Sequence, residues 1–188
     1  MGRIVVTEFI SLDGVIEGPG GGEEYKHVGW TFDFDRGEEG NKFKLDELRE
    51  ADAQLLGRVT YEGFAAAWPS RTDDVGFAER MNSMPKYVVS QTLKNADWDN
   101  STILGGDFVD DVTKLKNDVD GVILVAGSAQ LVQGLLENDL VDELRLMVFP
   151  VVLGSGKRLW GETEDKQAFR LAESKVVGDG VAILTYRK

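Results

Sequence analysis

Val122-Ile123-Leu124-Val125-Ala126-Gly127-Ser128-Ala129-Gln130-Leu131-Val132-Gln133-Gly134-Leu135-Leu136-Glu137 decides the fold class. Four branched apolar residues in a row have no polar face, so this strand is read as buried on both sides. Such strands belong to mostly parallel sheets covered by helices. A glycine follows, and then Leu131, Val132, Leu135 and Leu136 recur at helical spacing along one face. Ser128 is placed to cap the start of that helix, and Asn138-Asp139 ends it. Strand, glycine and helix in this order read as one unit of an α/β domain.

The same alternation extends in both directions. Further strands are predicted over Arg3 to Ile10, Ala53 to Leu56, Lys86 to Ser90 and Thr102 to Leu104, beside Val122 to Ala126. Helices are predicted over Gly40 to Glu50, Thr60 to Ala67, Val109 to Asn117 and Ala129 to Glu137. The last third changes character. Asp142 to Phe149, Phe169 to Val177 and Val181 to Arg187 read as longer strands, and Gly178-Asp179-Gly180 joins the last two as an antiparallel hairpin. Gly18-Pro19-Gly20-Gly21-Gly22 runs into acidic residues and reads as a mobile loop. No repeat or low-complexity tract divides the 188 residues, so one domain is expected.

Composition narrows the function. Cysteine is absent, which excludes a disulfide scaffold, thiol catalysis and thiolate metal sites. His27 is the only histidine, so a histidine-rich metal site or a serine–histidine triad is poorly supplied. The adjacent acids Asp73-Asp74 and Asp110-Asp111 read as solvated surface, and no metal is expected. With 33 acidic against 21 basic residues the net charge is −12, a field that repels nucleic acid and anionic lipid surfaces. Met1 to Val6 runs straight into a strand with no signal-peptide pattern, and the longest apolar run, Leu146 to Leu153, is broken by Pro150. The cytoplasm is the expected location.

Three segments carry chemistry. Leu56-Gly57-Arg58-Val59-Thr60-Tyr61-Glu62 takes a strand through a glycine into a helix, which sets backbone N–H groups and a helix dipole where an anion can sit. Read structurally, Gly57 is a turn and Thr60 an N-cap. Lys86-Tyr87-Val88-Val89-Ser90-Gln91-Thr92-Leu93 ends a strand on hydroxyls and an amide, at the edge where α/β sheets bind ligands. A polar strand end is the plainer account. Ala126-Gly127-Ser128-Ala129-Gln130 places a glycine where a backbone must approach a ligand closely.

Taken in order, these segments resemble the dihydrofolate reductase superfamily, and more closely its branch with the reductase domain of bacterial riboflavin biosynthesis. Ser11-Leu12-Asp13-Gly14-Val15, Leu140-Val141-Asp142-Glu143-Leu144 and Pro150-Val151-Val152-Leu153-Gly154-Ser155-Gly156-Lys157-Arg158-Leu159 extend the likeness over nearly the whole chain. The resemblance implies a three-layer α/β/α fold, a mostly parallel central sheet with a C-terminal antiparallel hairpin, NADPH as cofactor and a homodimer. By the family's pattern, Arg58 and Thr60, flanked by Gly57 and Val59, would meet phosphates. Ser90, Gln91, Thr92 and Leu93 would line the adenosine ribose and its 2′-phosphate, and Ala126, Gly127, Ser128, Ala129 and Gln130 the diphosphate. Asp13, Gly14, Val15 and Ile16 would flank the nicotinamide. Members of the family often carry Gly-Gly where this chain has Ala126-Gly127. Folate reducers also place a carboxylate on the helix before the Gly-Arg segment. Glu38, Glu39 and Asp46, with Asp33 and Asp35 upstream, are the acids available there, and the catalytic acid stays unassigned.

On the substrate side two readings stand. His27 either lines the substrate or faces solvent from its loop. Trp30, Phe32 and Phe34 alternate, as an aromatic wall for a flat heterocycle or as one side of a half-buried strand. Trp68 and Trp160 divide the same way. The leading expectation is an NADPH-dependent reductase of a small heterocyclic or sugar-like substrate, and the alternative is a non-catalytic dinucleotide-binding or sensor domain.

Overall fold

A computed structural model describes residues 1–22, 24–163 and 165–188. Along the chain lie β1 (Arg3–Ile10), a 3-10 turn (Trp30–Asp33), α1 (Gly37–Glu50), β2 (Ala51–Gly57), α2 (Arg58–Ala67), α3 (Phe77–Ser83) and β3 (Lys86–Val89). Then come β4 (Ser101–Leu104), α4 (Phe108–Asp118), β5 (Val122–Ala126), α5 (Ala129–Glu137), β6 (Glu143–Val148), β7 (Arg170–Val177) and β8 (Val181–Arg187). All eight strands join one sheet in the order β4-β3-β2-β5-β1-β6-β8-β7. Every pairing from β4 to β6 is parallel, and β8 runs antiparallel to both β6 and β7. The expected mixed α/β sheet with a C-terminal hairpin is therefore the observed one.

Alternation along the central strands builds the two faces. Ile4, Val6, Leu55, Ile123 and Val125 pack under α4 and α5 against Val112, Leu115, Leu131, Val132 and Leu135. Val5, Leu56, Val88 and Leu124 face the other way, onto Leu48 of α1, Tyr61 of α2 and Met81 of α3. A third cluster joins Trp30 to Met147, Phe149, Val177 and Ile183 beside the hairpin. The β7 edge is exposed over all but its last residue.

Among the described residues, Lys86 and Glu143 are charged side chains that are fully buried and matched. Lys86 donates to the carbonyls of Asn82, Met84 and Asp99 at 2.7–2.9 Å, which ties α3 to the start of β4. Glu143 accepts from Arg145 at 2.6 Å and Arg187 at 2.8 Å, and Arg3 lies 3.2 Å away. The hairpin turn presses on the loop before α1: a Cβ on Gly178 would fall 1.9 Å from the Asp35 carbonyl, and the Asp179 N–H donates to that oxygen at 2.7 Å.

Several local expectations are corrected. Trp30, Phe32 and Phe34 do not form a strand: the 3-10 turn buries Trp30, whose Nε1 donates to the Glu17 carbonyl at 2.8 Å, and leaves Phe32 76% exposed. Helix α3 has no counterpart among the predicted helices, since its seven residues are too few to show a period. The loop at Gly18 is tied at its stem, with the Thr31 hydroxyl on the Pro19 carbonyl at 2.6 Å and the Gly29 N–H on Gly18 at 2.7 Å. Among the described residues, no helix is long and apolar enough to cross a membrane.

Candidate functional site

Because β3, β2, β5, β1 and β6 are adjacent and parallel, their carboxyl ends open on one edge of the sheet. At ~4.8 Å per strand that edge spans about 19 Å, long enough for an extended ligand. It collects Ser90 to Leu93 after β3, Gly57 to Thr60 after β2, Ala126 to Gln130 after β5 and Asp13 to Ile16 after β1. The segments after β2 and β5 touch: the Gly57 N–H donates to the Ser128 hydroxyl at 2.9 Å. A Cβ on Gly127 would meet the Thr60 hydroxyl at 3.2 Å.

The turn after β5 is unusual. Gly127 (φ 64°) and Ser128 (φ 65°, ψ 56°) are both left-handed, a conformation that costs an L residue about 1–2 kcal/mol. Ser128 stands at the N-cap position, as expected, but its hydroxyl is spent on Gly57 and does not cap α5. Thr60 is not an N-cap either, because α2 starts at Arg58. Elsewhere the protein caps its helices: Asp107 accepts from Val109 and Asp110 at the head of α4, and Asp73 accepts from Phe77 and Ala78 at the head of α3. No side chain among the described residues does this for the first turn of α2 or α5. Helix ends left uncapped at a strand edge offer N–H donors and a positive dipole to an anion.

The remaining candidates divide. Arg58 is exposed and paired with Glu62 at 2.9 Å, a weak surface pair that an incoming phosphate can displace. The Ser90 hydroxyl accepts from Thr92 and Leu93 N–H groups at 3.2 and 2.9 Å and so shapes its own loop, while Gln91 and Thr92 reach solvent. Asp13 is a clasp. Its carboxyl takes the Ser11 hydroxyl at 2.6 Å and the N–H groups of Leu153 and Gly154, and these hold it down at about 2. Val15 and Ile16 are core residues.

Two concavities of about 350 Å³ each lie around the 3-10 turn. One is lined by His27, Val28, Gly29, Trp30 and Asp33 with the segment after β6, Val151 to Leu153. The other is lined by Thr31, Phe32, Phe34, Asp35, Arg36 and Asn41. His27 and the largely buried Trp30 thereby border the segment after β6 at this edge, while Phe34 borders the second concavity. Trp68 borders neither, since it ends α2, ten residues or ~15 Å from that helix's start, and packs on Phe77.

What the sequence reading missed lies beneath this edge. Glu8 on β1 is buried, its Oε1 has no partner, and burial pushes its carboxyl up to about 8 despite Lys44 and the Gly127 N–H. Thr7, one residue earlier, donates to Glu47 at 3.1 Å and accepts from Lys44 at 2.7 Å, and Lys44 pairs with Glu47 at 2.6 Å. The Lys44 ammonium also lies 4.9 Å from the centre of the Phe9 ring. An acid next to Thr7, inside the otherwise apolar run Ile4 to Ile10, was the available signal.

A mostly parallel sheet with its helix starts open at one edge, and an antiparallel hairpin added beyond β6, is the dihydrofolate reductase-like fold. Dihydrofolate reductase from Enterococcus faecalis, complexed with NADP(H) and RAB-propyl, superposes with a TM-score of 0.58 over 99% of this chain and 96% of its own, at 16% identity. A putative riboflavin biosynthesis protein from Shewanella sp. PV-4 is more similar, with a TM-score of 0.78 and 25% identity over 98% of both chains. The chain belongs to the RibD C-terminal domain family, whose pattern matches residues 3–183. Two relatives are the uncharacterized proteins YyaP and YwjB of Bacillus subtilis. They are 29% and 28% identical over 98% and 96% of this chain, and over 94% and 95% of their own lengths.

Proposed function

We propose that this protein is an NADPH-dependent oxidoreductase of a small heterocyclic or sugar-like substrate, resembling 5-amino-6-(5-phosphoribosylamino)uracil reductase or dihydrofolate reductase. The observation that carries the reading is the shared edge where α2 and α5 start uncapped and the segments after β2 and β5 are joined by the 2.9 Å Gly57–Ser128 bond. A dinucleotide's phosphates suit such an edge. Family membership and the NADP(H) complex of the Enterococcus faecalis neighbour support the choice of cofactor.

In this reading the first-turn N–H groups of α5 hold the diphosphate, with Gly127 allowing close approach. Arg58 and Thr60 neutralise phosphate charge, and Ser90, Gln91, Thr92 and Leu93 take the adenosine end and its 2′-phosphate. An arginine and hydroxyls favour that extra phosphate, hence NADPH over NADH. Asp13 to Ile16 contribute backbone beside the nicotinamide, since the Asp13 carboxylate is spent on the clasp. NADPH, when bound, supplies the hydride; the chain orients it and excludes water. The substrate lies in the concavities that His27, Trp30 and Phe34 border.

The exposed β7 edge, with Leu171 54% and Val176 71% exposed, supports a homodimer through this end of the sheet. The acidic charge and the reductase chemistry suit the cytoplasm.

Titration with NADPH, followed by intrinsic tryptophan fluorescence, tests the reading. Saturable quenching, with NADPH oxidised by at least one member of a panel of pteridines, flavins, quinones and aldehydes, is the expected result. A folded protein that shows no saturable change refutes it, and binding without oxidation leaves a dinucleotide-binding module with no catalysis.

A further inference from the structure

Glu8 occupies a place where a charged side chain has no packing reason to be. It lies in the central strand β1, 4% exposed, and the β6 residue paired with it is Leu146. The β1–β5 register ends at Thr7 and Ala126, so Glu8 and Gly127 are the first residues past the last pair. There the Glu8 carboxyl meets the Gly127 N–H, while Oε1 is buried without a partner. The charged groups that reach it are Lys44 and Glu47, both on α1, and these already neutralise each other. The first turn of α5 brings Ala129, Gln130 and Leu131, none of which titrates.

The turn beside Glu8 holds two successive left-handed residues, one of them not glycine. Such a turn persists only where its surroundings over-determine it. Three features do so here: Thr60 packed on Gly127, the Ser128 hydroxyl on the Gly57 N–H, and the buried Glu8 carboxyl lying under Gly127, one residue past the last β1–β5 pair. Only the third involves a group that gains or loses charge. An ionised Glu8 would set a buried negative charge under the helix start proposed for the diphosphate, where it competes for the same dipole.

We infer that Glu8 is the positioning residue of this turn: its carboxyl holds Gly127 in place and must be uncharged for an anionic dinucleotide to bind above it. The inference rests on the dinucleotide reading and adds a proton to it. Binding takes up one proton wherever Glu8 is ionised in the free protein and neutral in the complex. Burial, the largest influence on Glu8, puts its titration at about 8, so the effect falls in an accessible pH range.

The test is NADPH affinity at pH 7 and pH 9 for the wild type and Glu8→Gln, which keeps an oxygen for the Gly127 N–H but cannot ionise. For the wild type the dissociation constant rises about tenfold between the two, as the neutral fraction falls to roughly one in eleven. For Glu8→Gln it stays constant. Calorimetry of the wild type alone, at pH 8 in two buffers of different ionisation enthalpy, gives an independent reading that needs no variant: about half a proton taken up per NADPH. Equal pH dependence in the two proteins, or binding without proton uptake, overturns the assignment of Glu8 while leaving the dinucleotide site standing. A folded wild type that binds no NADPH at any pH overturns both.

Discussion

Replacing Gly127 by alanine separates the dinucleotide edge from a merely structural turn. At φ 64° an alanine pays the left-handed penalty of ~1–2 kcal/mol, and its Cβ comes within 3.2 Å of the Thr60 hydroxyl and 3.3 Å of its methyl group. For a chain of this length about 1–2 kcal/mol lowers the melting temperature by roughly 2–8 °C. Where the alanine escapes strain by leaving the left-handed region, the turn must be restored on binding, which weakens NADPH about five- to thirtyfold. Gly63→Ala is the control, in the middle of α2 with nothing within 4 Å of its Cβ. There alanine stabilises by about 0.5–1 kcal/mol and leaves affinity unchanged. Thermal unfolding and fluorescence titration of both variants give the two readouts. A Gly127→Ala protein that melts lower yet binds NADPH as the wild type does would remove this turn from the site.

Glu8→Gln is more stable than the wild type at pH 7 in urea unfolding, by up to about 3 kcal/mol, because the unfolded chain no longer gains from ionising a carboxyl that the fold keeps neutral; equal midpoints would mean that Glu8 is not held neutral. Asp13 is depressed from 3.8 to about 2, so its contribution is full above the ordinary aspartate range and is lost as pH falls from near 4 toward 2. Asp13→Asn flattens that part of an acid titration followed by circular dichroism, and an unchanged profile counts against the clasp. In Glu143 burial raises the carboxyl, but the hydrogen bonds from Arg187 and Arg145 more than offset it, leaving it lowered. Glu143→Gln removes the negative charge that three guanidiniums share and costs about 2–3 kcal/mol, less than the ~3–5 of a wholly buried pair because Arg3 and Arg145 keep Glu50 and Arg3 and Arg187 reach solvent. A change under about 0.5 kcal/mol in urea unfolding would show that the cluster is inert.

Periodicity marked the framework well. Val122 to Ala126 and Ala129 to Glu137 are strand and helix at the predicted residues, and β1, β8 and the Gly178-Asp179-Gly180 hairpin follow the same patterns. It failed where an element was short or the pattern ambiguous, as at α3 and at the 3-10 turn read as a possible strand. The three segments read as carrying chemistry were legible as segments, and all three reached the carboxyl edge of the sheet, whereas Leu140 to Leu144 leads into the start of β6 at the other end. Individual roles inside them were less so, because Ser128, Ser90 and Asp13 turned out to bond within the protein rather than point outward.

From the sequence alone came what depends on neighbours along the chain: the α/β class, the antiparallel end, the glycines at strand ends and the family they resemble. Apolar period and turn chemistry act over a few residues, so they are readable without coordinates. Only the tertiary structure decided which helix starts are left uncapped, that Ser128 reaches across to Gly57, and that Glu8 lies beneath Gly127. These contacts join residues 71 and more than a hundred positions apart. Hydrogen bonding and burial at such separations depend on strand order, which no local pattern encodes.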